Sequence, residues 1–185
     1  MKEGGERAAK ESAERAAWKG AEEGAERTVK EDAEEASEET AQRNARASGN
    51  CYSAAMAAIV VARAAGEKYV GGPHNGVKLG SQKGVYESHH IPPKGTGGLT
   101  AGREPAILMD YRDHRSTQTW GNSNGNRNQR TLASSSKLGF LRAVVSDIAN
   151  VRLIASAAGD PHKYDKAILM AEAYAACLAT TGVIK

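Results

Sequence analysis

Gly84-Val85-Tyr86-Glu87-Ser88-His89-His90-Ile91-Pro92-Pro93 is the stretch that decides how this chain is read. Val85, Tyr86 and Ile91 favour extended backbone around a histidine pair, and Pro92-Pro93 end the strand. Lys94-Gly95-Thr96-Gly97-Gly98 then reads as a loop, and Pro105-Ala106-Ile107-Leu108-Met109-Asp110 as a second short strand. Asp113 suits the cap of a helix beginning near His114, with 23 residues between His90 and His114. Three of the five histidines in the chain thus fall in one strand, loop, strand, helix segment. Imidazole is both a common ligand for transition metals and a common general base near neutral pH. Three that converge would hold one metal ion and supply one free base.

The pleat sets a condition on that convergence. Adjacent residues of a regular strand point to opposite faces. His89 and His90 serve one reaction only where the strand bends or bulges, and the Pro-Pro and Gly-rich sequence that follows is compatible with irregular backbone there.

Working outward, the flanking sequence is mostly helical. Residues 6–47 are rich in Ala, Glu, Arg and Lys, with Ala9, Ala13, Ala17, Ala21, Ala25, Val29 and Ala33 at four-residue spacing. This predicts a long helical arm with a narrow apolar stripe, either a solvated linker or a docking helix. Residues 48–66 predict a more apolar helix. Gly71-Gly72-Pro73-His74-Asn75-Gly76 is dense in turn formers and reads as a hinge, with His74 as a surface loop histidine. Gly121 to Asn126 reads as a loop, residues 134–158 as one helix, and 165–179 as a last helix after the Gly159-Asp160-Pro161 break. The organisation is an arm at 1–47, an apolar helix and Gly/Pro hinge at 48–76, and a body at 77–185. The fold class is α+β and mostly helical, a hairpin-helix site on a helical scaffold.

Charge divides along the same line. Residues 1–47 hold 13 acidic and 9 basic side chains, and residues 48–185 hold 9 acidic and 16 basic. A basic body suits a polyanionic partner, though it is also ordinary for a soluble domain. Cys51 and Cys177 have no CxxC partner, and two buried thiols are the expectation, with a single disulfide as the alternative. No signal peptide opens the chain. The apolar stretch around Met56 to Val61 is far short of the roughly 20 residues that span a bilayer.

Ser88-His89-His90, the 23-residue gap, His114, and the flanking Pro105 to Asp110 and Asp113-His114-Arg115-Ser116-Thr117-Gln118-Thr119-Trp120-Gly121 resemble the HNH/endonuclease VII superfamily. More narrowly, they are similar to the Ser-His-His nuclease toxin domains at the C-termini of bacterial polymorphic toxins. The resemblance spans about residues 77–185. It implies a ββα-metal site, with His89 and His114 as metal ligands and His90 as the general base. The position one helical turn after His114, a further ligand in many relatives, is held here by Gln118, a poor metal ligand. Asp113, water or phosphate oxygens would complete the shell.

The implied cofactor is one divalent metal ion, Mg²⁺ or Zn²⁺ first, then Mn²⁺ or Ni²⁺. The implied activity is hydrolysis of DNA in a competing bacterium. The implied partners are DNA, a cognate immunity protein, and a larger delivery or secretion protein reached through the arm. The protein would be made in the bacterial cytoplasm and delivered by a specialised secretion system, with no Sec leader. Arg112, Arg115 and Arg103 are the first candidates for phosphate contacts, with Arg127 and Arg130 behind them. Trp120 is expected to pack in the core under the site, with contact to nucleic acid as the alternative.

Three alternatives stay open: a structural zinc module for DNA or protein binding, an RNase on the same scaffold, and a helical interaction protein whose arm is the working part. Structural zinc sites close with four protein ligands, often thiolates, and neither cysteine lies near the motif.

Overall fold

A computed structural model describes residues 46–184, together with Lys30, Glu39, Thr40, Gln42 and Arg43. The chain divides into two compact units, Met1–Arg43 and Asn44–Lys185. Most of the helical arm expected over 6–47 lies outside the described residues. Residues 48–76 belong to the same unit as the body.

The second unit is α+β, a small antiparallel sheet packed among helices. Helix α1 covers 46–64. Gly66, at φ +84°, stops it: the Gly66 amide donates to Arg63 and the Glu67 amide to Ala62, which satisfies carbonyls the helix leaves open. Strand β1 is Gly71–Pro73 and helix α2 is His74–Lys78, followed by β2 at Tyr86–His90. A 3₁₀ turn at Ala101–Arg103 leads into β3, Pro105–Asp110, and β3 runs directly into α3, Tyr111–Arg115. The remaining helices are α4 (Asn124–Ser135), α5 (Lys137–Ala157) and α6 (Asp165–Thr180).

The sheet order is β1-β3-β2, with both pairs antiparallel. β3 is therefore central and buried from Pro105 to Met109, as its unbroken apolar run requires. One face of the sheet carries Ile107 and Met109 into a core with Phe140, Val144, Ile148 and Val151 of α5 and Ile168 and Leu178 of α6. The other face carries Ala106 and Leu108 against Ile59, Val70 and Val77.

Three expectations are corrected. The Gly71–Pro73 segment is a strand, not a hinge, paired with β3 through Gly71 and Ile107. Glycine is needed there because α6 passes so close that a Cβ on Gly71 would collide with the Ala167 carbonyl. The loop expected over 121–126 ends at Ser123, and two helices, α4 and α5, follow it where one was expected. Ser123 caps α4 by accepting from the Asn126 amide, and Ser136 is extended (φ −177°) and caps α5 by accepting from the Gly139 amide. Finally, Cys51 and Cys177 are not free thiols but form a disulfide that ties α1 to α6.

Candidate active site

The regular pleat of β2 decides what its histidines face. His89 stands opposite Ile107 and His90 opposite Ala106, with no bulge between them. Glu87 and His89 therefore share the face of Ile107 and Met109, while Ser88 and His90 share the face of Ala106 and Leu108. The two adjacent imidazoles look away from each other across an edge strand.

On the first face, α3 brings His114 to His89. The rings meet edge to face with centroids 5.0 Å apart. His114 Nδ1 donates to Glu87 Oε2 at 2.7 Å, which leaves its Nε2 lone pair open. Trp120, half-buried, lies edge-on to the same ring at 4.9 Å.

On the second face, His90 stacks on His74, with centroids 4.0 Å apart and planes 23° from parallel. His74 Nδ1 is 2.8 Å from Ser88 Oγ, so His74 is a partner in a cluster rather than a surface loop histidine. His90 Nε2 lies 3.3 Å from the Ala101 carbonyl oxygen and 3.3 Å from Glu104 Oε2. Glu104 is 1% exposed. Its Oε1 accepts from the Gly95 and Thr96 amides, while Oε2 makes no hydrogen bond.

Burial is the main cause that lowers the pKa of all four imidazoles. It pushes His89 well below the usual histidine value, helped by the neighbouring charges of His114 and His90. It takes His90 down to about 4, with the neighbouring His74 adding to the effect and the contact with the Ala101 carbonyl opposing it. His74 is lowered in the same way, and His114 is lowered by burial despite the opposing pull of Glu87. All four are thus neutral near pH 7, the form that ligates metals and accepts protons. Burial also raises Glu104, against the Gly95 and Thr96 amides that favour its ionised form. His162 is apart from this group, exposed and paired with Asp165.

The remaining sequence candidates are held elsewhere. Asp113 accepts from Lys163 Nζ at 2.8 Å and from the Tyr164 hydroxyl at 2.7 Å. Gln118 lies past the end of α3 rather than one turn along it, and its side-chain amide donates to Asp147. Arg112 and Arg115 are exposed on α3, with Arg115 over the rings of Trp120 and Tyr111. Arg103 lies over the Tyr52 ring and donates to Ser48.

Among the described residues, no three His, Cys, Asp or Glu side chains are grouped to hold a metal ion. The two sequence-predicted ligands that the structure brings together are His89 and His114. The Glu87 carboxylate behind His114 matches the outer-shell arrangement that fixes the tautomer of a metal-binding imidazole.

His74 and Glu104 were missed by reading the sequence alone. Each reaches His90 from a separate segment, and neither lies on a periodic pattern that marks it. No family model, curated protein or solved structure matches the chain.

Proposed function

We propose that this chain is a metal-dependent endonuclease that hydrolyses DNA, the working domain of an antibacterial toxin. The observation that supports the reading is the meeting of His89 and His114 where the β2–β3 hairpin runs straight into α3. His89 and His114 would hold one divalent metal ion, Mg²⁺ or Zn²⁺ first and Mn²⁺ or Ni²⁺ as substitutes. Such an ion, when bound, neutralises charge on the scissile phosphate.

His90 is the general base. It takes a proton from the water that attacks phosphorus in line with the departing 3′ oxygen, a role typically worth about 10²–10⁴-fold. Because His90 and His89 face opposite ways, one phosphate meets both only if it lies along the free edge of β2. On that side Tyr86 is bridged to Gln82, and among the described residues no strand pairs with His89 or His90 there. The anionic phosphate would also raise the low pKa of His90 towards neutrality.

The biological setting rests on the resemblance to toxin domains: delivery into a competitor, and a cognate immunity protein that covers or distorts the site. Among the described residues no helix is long and apolar enough to cross a membrane.

Incubation of the purified chain with plasmid DNA, and in parallel with RNA, tests the reading. Cleavage of DNA should need added Mg²⁺, Mn²⁺ or Zn²⁺ and stop with EDTA. His90→Ala should lose cleavage and keep metal binding, while His89→Ala should lose both. Undiminished cleavage by His90→Ala would refute the assignment of the base, and cleavage of RNA alone would make the protein an RNase.

A further inference from the structure

Glu104 is the buried acid that the proposed chemistry leaves unexplained. It is enclosed at 1% exposure between the 3₁₀ turn and the central strand. Burying a carboxylate is costly unless its oxygens are paired. One oxygen is paired, with the Gly95 and Thr96 amides. The other makes no hydrogen bond and faces His90 Nε2 at 3.3 Å. The fold thus pins a carboxylate in place from behind and aims its free oxygen at one ring nitrogen.

The surroundings say which way the proton runs. The Ala101 carbonyl, 3.3 Å from the same nitrogen, can only accept, so Nε2 is the protonated nitrogen. His74 stacks on the ring at 4.0 Å and is itself tied to Ser88, which prevents His90 from swinging away. We propose that Glu104 is the positioning residue of His90, holding its proton on Nε2 and leaving Nδ1 as the nitrogen that accepts a proton. This deepens the nuclease reading, and it names a residue that acts through His90 without touching substrate.

The informative variant is Glu104→Gln. Its side chain has nearly the same shape, and the Gly95 and Thr96 amides still need an acceptor, so the Gln oxygen stays with them. Its NH₂ group then faces Nε2, where two donors cannot meet. The His90 proton should move to Nδ1, or the ring should turn out of its slot. In a triad whose supporting carboxylate becomes an amide, the wrong tautomer costs about 10⁴-fold. Here Glu104→Gln should lower kcat at least about ten-fold with KM within about two-fold, since the phosphate contacts are untouched.

Imidazole ¹⁵N shifts and couplings of His90, recorded on the full chain, read the tautomer directly. Nε2–H in the parent and its loss in Glu104→Gln are the expected results. An Nδ1–H tautomer in the parent overturns the proposal, and so does a folded Glu104→Gln chain with parent tautomer and parent kcat. If Glu104→Gln fails to fold, Glu104→Asp, which draws the carboxylate back from Nε2, takes its place, and an unchanged tautomer and kcat there overturn the proposal. If the parent cleaves no nucleic acid, the nuclease reading falls while the tautomer change in Glu104→Gln still decides the role of Glu104.

Discussion

Lys163, in the turn before α6, reaches Asp113 of α3 with its Nζ 2.8 Å from Oδ2. The same ammonium lies 2.6 Å from Asp110, the residue that ends β3. One cation thus holds two carboxylates at the joint between the central strand and the helix that carries His114. Burial opposes the charge on Lys163, but the hydrogen bonds to Asp110 and Asp113 outweigh it and its pKa is raised.

Replacing Lys163 by Met should strand the Asp113 carboxylate, since Asp110 keeps Lys68 at 3.6 Å and the Tyr69 hydroxyl. The Lys163 and Asp113 side chains are 15% and 13% exposed, so solvent does little to screen the loss. Breaking such a pair should cost about 3 kcal/mol, seen as a fall of about 10 °C in Tm. Adding Asp113→Asn to Lys163→Met should recover part of it, because the second change removes the stranded charge. A Lys163→Met protein that melts with the parent would show that the joint is held by packing alone.

The disulfide carries a second expectation. Cys51 and Cys177 are 126 residues apart, so the bond closes most of the second unit into one loop. On the chain-entropy account a loop of this size is worth roughly 4–5 kcal/mol. Cys51→Ala combined with Cys177→Ala should therefore lower Tm by about 10–15 °C. Two free thiols titrated in the unreduced native protein would contradict the bond itself.

Asp147 predicts a pH dependence. It lies within α5 at 1% exposure, with Oδ2 unpartnered and Oδ1 3.4 Å from the Gln118 amide. Burial pushes its pKa up to about 7, against the smaller opposing effect of Gln118. A carboxyl whose folded pKa is raised contributes stability below its unfolded value, near 4, and loses it as pH rises through about 7. Asp147→Asn should therefore be more stable than the parent at pH 8, by on the order of 3–4 kcal/mol, and similar to it near pH 4. Urea unfolding at the two pH values measures this, and parallel stabilities for parent and variant would sink the idea.

The elements legible in the sequence are those with a side-chain pattern. β3 announced itself as an apolar run, and α6 by its helical periodicity. β1 did not, because Gly71-Gly72-Pro73 has no apolar alternation. It is a strand because Ile107 and Ala106 offer it hydrogen bonds and because only glycine fits under Ala167. The break at Ser136 was hidden among Ser134, Ser135 and Ser136, where only a backbone angle distinguishes the cap.

The meeting of His89 and His114 followed from their places in the strand-to-helix motif. The separation of His90 from His89 follows from the pleat, and the structure has the regular strand rather than the bend that would have joined them. His74 and Glu104 were illegible because their roles arise from segments 16 and 14 positions away in sequence from His90, brought to it only by the tertiary fold.

Arg112 and Arg115 supply the last prediction. Both are exposed on the short helix that carries His114, one to two residues from it. Arg115 is steadied over Trp120 and Tyr111, with its guanidinium 5.0 and 5.3 Å from the ring centroids. A steadied guanidinium gives up less freedom when it meets a phosphate. Each phosphate contact releases condensed counterions, so losing one should weaken binding uniformly across sequences and reduce the slope of log K against log salt by about 1. DNA binding measured by fluorescence anisotropy between 50 and 200 mM salt, in a His90→Ala background to prevent cleavage, tests this for Arg112→Gln and Arg115→Gln. Arg103→Gln is the internal control: its guanidinium is engaged with Tyr52 and Ser48 of α1, so its slope should match the parent. Unchanged slopes for both α3 variants would remove α3 from the DNA-binding surface, and with it the approach of a phosphate to His114.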